Sequence, residues 1–304
     1  GLTVLKEIAG LLPEYDYLYL GDNARTPYGT RSFETIYEYT LECVKYLFDQ
    51  GCHLVILACN TASAQALRKI QQEDLPYIDA HRRVLGVIRP TAEMIGNYTK
   101  SGSVGVLGTN GTIKSESYLI EIEKQFPKLQ VYQQACPMWV PLIENGETKD
   151  GADYFVQKYL REIMNQCKNI DTLLLACTHY PLLVERIRAY SPDNVQILAQ
   201  GEVVAESLKD YLYRHPEIKK KCTTSGTQSF LTTDSDAQAF ENNAKTFFGQ
   251  TVKAQTVHFL RTACNTNKEG GSRSTHNKNY PAEGTHHGRS EKPTIPNKKL
   301  KTIG

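Results

Sequence analysis

The sequence predicts an α/β protein of two pseudo-symmetric lobes, each a mostly parallel sheet with helices on both faces, with an active site in the cleft between them. Three observations predict it. Short β-rich apolar runs alternate with longer amphipathic stretches, the pattern of parallel strands covered by crossover helices. The residues just after several of these runs are small, polar or thiol-bearing, and ligands of open parallel sheets gather outside the C-terminal strand ends. One construction, an apolar run followed by Ala, Cys and then Thr near a helix start, occurs at 58 to 61 and again at 176 to 178. That duplication reads as one half-site per lobe.

The strand candidates, in chain order, are Tyr15 to Leu20, His53 to Ala58, Val84 to Ile88, Ser103 to Leu107, Leu129 to Gln133, Asp171 to Ala176, Val195 to Leu198, Ser229 to Thr232 and Thr251 to Phe259. Helical periodicity runs over Phe33 to Phe48, Ala62 to Gln71, Ser115 to Gln125, Asp153 to Gln166 and Val203 to Leu212. The expected organisation is a first lobe of 1–86 with a return over 200–260, and a second lobe of 87–199. Residues 261–304 form a basic tail: from 265 onward there are eight Lys or Arg against three Asp or Glu and almost no large apolar side chains. Such a segment buries too little surface to offset its ordering entropy, so disorder is expected there.

Composition narrows the function classes. A chain of 304 residues, 40% hydrophobic and 22% charged, can bury a substantial core, and a net charge of +2 gives no field that would select nucleic acid or an acidic membrane as partner. No apolar run approaches the roughly 18 residues of a membrane helix and no signal-peptide pattern opens the chain, so a cytoplasmic protein is expected. None of the eight cysteines falls in a C-x-x-C pair, which argues against zinc-ribbon and thioredoxin-type sites. Several lie inside apolar runs, as reduced thiols do.

Four strand ends carry the candidate chemistry: Gly21 to Gly29, Ala58 to Ser63, Gly108 to Thr112 and Ala176 to Pro181. A cysteine placed between a strand end and a helix start can have its thiolate stabilised by free backbone N–H groups and the helix dipole. For any single cysteine a buried apolar role is the plainer reading; two in matched settings, Cys59 and Cys177, favour a base or nucleophile. Cys43, Cys52, Cys167 and Cys222 lack that context. Thr109 and Thr112 suit helix capping as well as ligand binding, and the two roles are compatible.

Taken together, the strings G-D-N-A-R-T-P-Y-G, L-A-C-N-T-A-S-A, V-L-G-T-N-G-T-I-K-S-E-S-Y, P-L-I-E-N-G and L-L-L-A-C-T-H-Y-P-L-L resemble the glutamate racemase family of the aspartate/glutamate racemase superfamily, in that order. The resemblance spans Gly1 to about Phe259. It implies a cofactor-independent two-base reaction in which one cysteine takes the α-proton of glutamate and the other delivers a proton to the opposite face. By motif it implies Cys59 and Cys177 as the acid/base pair, His179 and Glu144 as helpers, and Pro27, Tyr28, Gly29, Asn60, Thr61, Thr109, Thr112 and Thr178 as substrate contacts. It further implies supply of D-glutamate for peptidoglycan and a homodimer as a common state.

Neither cysteine motif offers a lysine for a Schiff base and no G-x-G-x-x-G follows a strand, so neither cofactor nor metal is expected. The family pattern places a short strand and a D-S-G-x-G-G turn just before the position of Gly1. On that comparison a central strand of the first lobe is expected to be missing, its neighbours left unpaired, and activity reduced or absent. Two other readings stay open on the sequence: a superfamily relative acting on aspartate, hydantoins or maleate, and a non-catalytic binding module with core thiols.

Overall fold

A computed structural model describes residues 1–259 and the backbone of 300–303. Among the described residues, ten strands form two sheets in which every pairing is parallel. They are β1 (Tyr17–Gly21), β2 (Leu54–Leu57), β3 (Arg83–Gly86), β4 (Ser103–Gly108), β5 (Gln130–Ala135), β6 (Thr172–Ala176), β7 (Gln196–Leu198), β8 (Gln228–Thr232), β9 (Ala254–Thr256) and β10 (Leu300–Ile303). The first sheet has the order β3-β2-β10-β1-β8-β9 and the second β5-β4-β6-β7. Parallel strands need long crossovers, and here helices supply them on both faces of each sheet.

The central strands are buried along their whole length in β1, β2, β4 and β6, as expected where both faces are covered. Because successive side chains point to opposite faces, each strand feeds two cores. Tyr17, Tyr19, Leu54 and Ile56 pack with the helices Leu2–Leu11 and Gln200–Arg214, while Leu18, Leu20, Val55 and Leu57 pack against the helix Phe33–Asp49. The second sheet repeats this: Leu173 and Leu175 face the helix Asp150–Gln166, and Leu174 and Ala176 face Ile88–Met94 and Ser117–Gln125. Each fully buried aliphatic side chain contributes about 1.5–3 kcal/mol relative to exposure.

All nine anticipated strand segments contain a strand. Thr251 to Phe259 contributes only Ala254–Thr256. The single helix expected over Ala62 to Gln71 is divided into Asn60–Gln65 and Leu67–Lys69, a wider π-type turn at Ile70–Asp74, and Leu75–Asp79. Of the segment 261–304, most lies outside the described residues. The exception is Leu300–Ile303, which pairs as β10 between β1 and β2 instead of standing apart. The neighbours expected to lack a partner are therefore both paired.

Candidate active site

The C-terminal ends of β1, β2, β4 and β6 open on one cavity of about 110 Å³. That is several times the roughly 10–15 Å³ that one water needs on the same measure, which suits a small molecule rather than a polymer.

Cys59 follows β2 and immediately precedes the helix Asn60–Gln65, with extended backbone (φ −138°, ψ 124°) and its carbonyl accepting from Ser63 N–H at 2.9 Å. Cys177 follows β6 in the other sheet, and its carbonyl accepts from Tyr180 N–H at 3.1 Å. Both line the cavity. Burial is the largest influence on the Cys177 thiol and pushes it up to about 12; Cys59 adds to the rise, and the backbone N–H groups of His179 and Tyr180 oppose it. Cys177 therefore rests as a thiol at neutral pH.

His179 lies beside it. Cys177 Sγ is 3.8 Å from His179 Nδ1, and His179 Nε2 is 3.0 Å from Glu144 Oε1. Burial lowers the imidazole below its ordinary value, against the pull of Glu144. A neutral ring bonded this way donates Nε2–H to the carboxylate and turns the Nδ1 lone pair to the thiol, so proton transfer from sulfur would leave an imidazolium against Glu144. Phe247, from the helix Ala237–Phe247, meets the imidazole edge-on at 5.2 Å and fixes its plane.

Around the thiols, the first-lobe wall is the loop 26–30. A cis bond precedes Pro27, and the buried Tyr28 donates its O–H to Asp22. Asp22 is held by Arg25 Nε at 2.9 and 2.8 Å and by the Thr233 hydroxyl at 2.8 Å, while Arg25 stacks on Tyr39 at 4.3 Å. Gly29 sits against the second lobe: its carbonyl accepts from Gly111 N–H at 3.0 Å, and a Cβ there would come within 2.8 Å of Thr109 Cβ. Only a residue without a side chain allows that approach.

Across the same seam the hydroxyls of Thr61, Thr109 and Thr112 form a triangle with sides of 2.9, 3.1 and 3.3 Å. Thr109 also caps the helix Asn110–Lys114 by accepting from Thr112 N–H. Thr178 completes the second-lobe side, its carbonyl accepting the Thr3 hydroxyl at 2.7 Å.

A family model described as Asp/Glu/Hydantoin racemase matches residues 3–208. The chain belongs to this family. Among the racemases similar to it, a glutamate racemase of Persephonella marina is 44% identical over 211 residues, 69% of this chain and 77% of the relative. A glutamate racemase of Aquifex aeolicus is 38% identical over 254 residues, 83% and 92% of the two chains. In structure the chain is similar to the glutamate racemase isoform RacE1 of Bacillus anthracis, with TM-score 0.76, 34% identity, and 84% and 92% of the chains covered. It is also similar to the glutamate racemase of Francisella tularensis solved with D-glutamate, with TM-score 0.74, 30% identity and the same coverage.

Within this racemase-family cavity, eleven of the twelve residues singled out from the sequence lie on the wall: Cys59, Cys177, His179, Glu144, Pro27, Tyr28, Gly29, Asn60, Thr61, Thr109 and Thr178. Thr112 is fully buried and stands one step behind, supporting the hydroxyls of Thr61 and Thr109. The wall also includes residues that sequence reasoning passed over, notably Thr26, Asn110 and an apolar side made by Cys136, Pro137, Val140 and Pro141. Cys136 directly follows β5, so the strand-end rule applied to that strand would have found it. Among the described residues, no cluster of three His, Cys, Asp or Glu side chains could hold a metal, and no helix is long and apolar enough to cross a membrane.

Proposed function

We propose that the chain is a cofactor-independent glutamate racemase in which Cys59 and Cys177 work from opposite faces of the α-carbon. The observation that carries the reading is that both thiols, each at the end of a parallel strand in a different sheet, line one small cavity.

In one direction a Cys177 thiolate, formed by proton transfer to His179 and stabilised through Glu144, takes the α-proton. The Cys59 thiol then gives its own proton to the opposite face. The reverse direction exchanges the roles, so each turnover leaves the pair in the complementary protonation state. The carbanion-like transition state needs donors on the α-carboxylate in a cleft that excludes bulk water. The hydroxyls of Thr61, Thr109 and Thr178, the Asn60 amide and backbone N–H groups at the helix starts supply them. Pro27, Tyr28 and Gly29 shape the opposing wall, with Thr112 acting through its neighbours.

On this reading the enzyme is cytoplasmic, supplies D-glutamate to peptidoglycan synthesis and works as a homodimer. The test is incubation of the purified chain with L-glutamate and chiral separation of the product. D-glutamate should accumulate to equality, and Cys59→Ser and Cys177→Ser should each lower the rate by about a hundredfold or more, as loss of an acid/base group does. Glutamate bound without inversion would indicate a binding module, and inversion of aspartate instead would move the assignment within the family.

A further inference from the structure

Asn60 reaches the cavity wall, but its side-chain amide is held from behind by two residues that do not line the cavity. Asn60 Nδ2 donates to Gln200 Oε1 at 2.6 Å, Gln200 Nε2 donates to the Tyr118 oxygen, and Tyr118 O–H donates back to Asn60 Oδ1 at 2.6 Å. The three bonds close a ring. All three side chains are at most 2% exposed, and they come from three helices: Asn60–Gln65, Ser117–Gln125 and Gln200–Arg214.

The sense of the ring is dictated from outside it. Gln200 Nε2 also faces the Val87 carbonyl at 3.4 Å and the Thr91 hydroxyl at 3.1 Å, and that hydroxyl already donates to Val87 O at 2.9 Å. A carbonyl only accepts, so Gln200 must turn its NH₂ toward Val87 and its Oε1 toward Asn60. Asn60 must then present Nδ2 to Gln200 and Oδ1 to Tyr118. With the amide fixed, one N–H is used in the ring and the other, which has no hydrogen-bond partner among the described residues, is left for a ligand.

We infer that Tyr118 and Gln200 are positioning residues for the inversion: they act through Asn60, holding its second N–H toward the substrate and setting the start of the helix beside Cys59. The inference rests on the racemase reading of this cavity. It identifies a control on the reaction that lies outside the cysteine motifs, in side chains 58 and 140 residues from Asn60 in the chain.

The test uses the full chain carrying Tyr118→Phe, Gln200→Met and the pair together, with L- and D-glutamate as substrates and rates normalised to folded protein by circular dichroism. Each single variant should lower kcat about tenfold with KM changed much less, the size expected for a misaligned buried hydrogen bond. The double variant should be no more than about twofold worse than the poorer single, because one broken bond already frees the amide. Losses that multiply, or a lowered unfolding midpoint with kcat intact, would overturn the inference. Should either variant fail to fold, Thr91→Val removes the shorter of the two outer bonds of Gln200 and leaves the Val87 carbonyl in place; a kcat lowered about threefold in folded protein supports the ring, and an unchanged kcat overturns it. An unsubstituted chain that leaves glutamate uninverted defeats the functional reading itself, whereas an active parent with equally active variants defeats this inference alone.

Discussion

Cys177 Sγ lies 3.8 Å from His179 Nδ1, and the far nitrogen of the same ring lies 3.0 Å from a Glu144 oxygen. The three groups make a path along which a proton can leave a thiol that burial otherwise keeps protonated. Among the described residues no imidazole is hydrogen-bonded to Cys59, so the two strand-end thiols sit in chemically unequal surroundings.

His179→Asn should lower kcat by about a hundredfold, the contribution of a positioned acid/base group, with a smaller change in KM. Glu144→Gln should lower kcat less, because the ring remains while its imidazolium loses a counter-charge. Steady-state rates in both directions check this. A Glu144 effect larger than that of His179 would contradict the order of the path.

The pH response follows from two opposite shifts. His179 titrates below its ordinary value, so as pH falls through about 6.5 the unfolded chain takes up the proton first and stability declines. Cys177 titrates above its ordinary value, so its contribution to stability is complete below about 9 and is lost as pH climbs toward about 12. Unfolding midpoints across pH should show both limbs. His179→Asn should flatten the acid limb, and Cys177→Ser the alkaline one. Alkylation of Cys177 by iodoacetamide should be slow at pH 7 and still rising above pH 9, since the thiolate is the reactive form.

Gly29→Ala should disturb the seam between the lobes. The added methyl meets Thr109 Cβ at 2.8 Å, and the Gly29 carbonyl that accepts from Gly111 must move with it. Overpacking of this kind costs about 1–3 kcal/mol. KM for glutamate should rise, because the wall formed by Pro27 and Tyr28 shifts. Chemical denaturation and initial rates measure the two effects separately.

Arg25→Met should destabilise the chain by about 3–5 kcal/mol, since it strips the counter-charge from an Asp22 that is 1% exposed. The double variant Arg25→Met, Asp22→Asn should recover much of that loss, because no buried charge is then left alone. Denaturant titrations of the single and double variants form the check.

The strands were legible because each is a short β-rich run bounded by turn residues, and the site was legible because parallel sheets concentrate function at strand ends. Cys59, Cys177 and His179 stand just past such strand ends, whereas Glu144, at the end of the helix Trp139–Glu144, could be named only through the family resemblance. The unread parts have non-local causes. The expected helix is divided after Gln65, where Leu67 and Ile70 pack in the same core as Val84 of β3, a contact with a residue beyond the helical segment itself. The pairing of Leu300–Ile303 is imposed by the strands on either side, and a basic tail gives no periodic sign of it. Phe247 reaches His179 from a helix 68 residues further along the chain, with no local signal. Thr112 matched a motif yet stands behind the wall, because Thr109 is the cap and the helix turns the next hydroxyl inward.

The most direct measurement is an early time course with L-glutamate in heavy water, reading deuterium at Cα in the recovered L-isomer and in the D-isomer separately. Two thiols on opposite faces predict deuterium in the D-product from the first turnovers, with the remaining L-substrate still unlabelled. Label appearing in both isomers at equal early rates would mean that one group serves both faces, and the two-thiol account would be wrong.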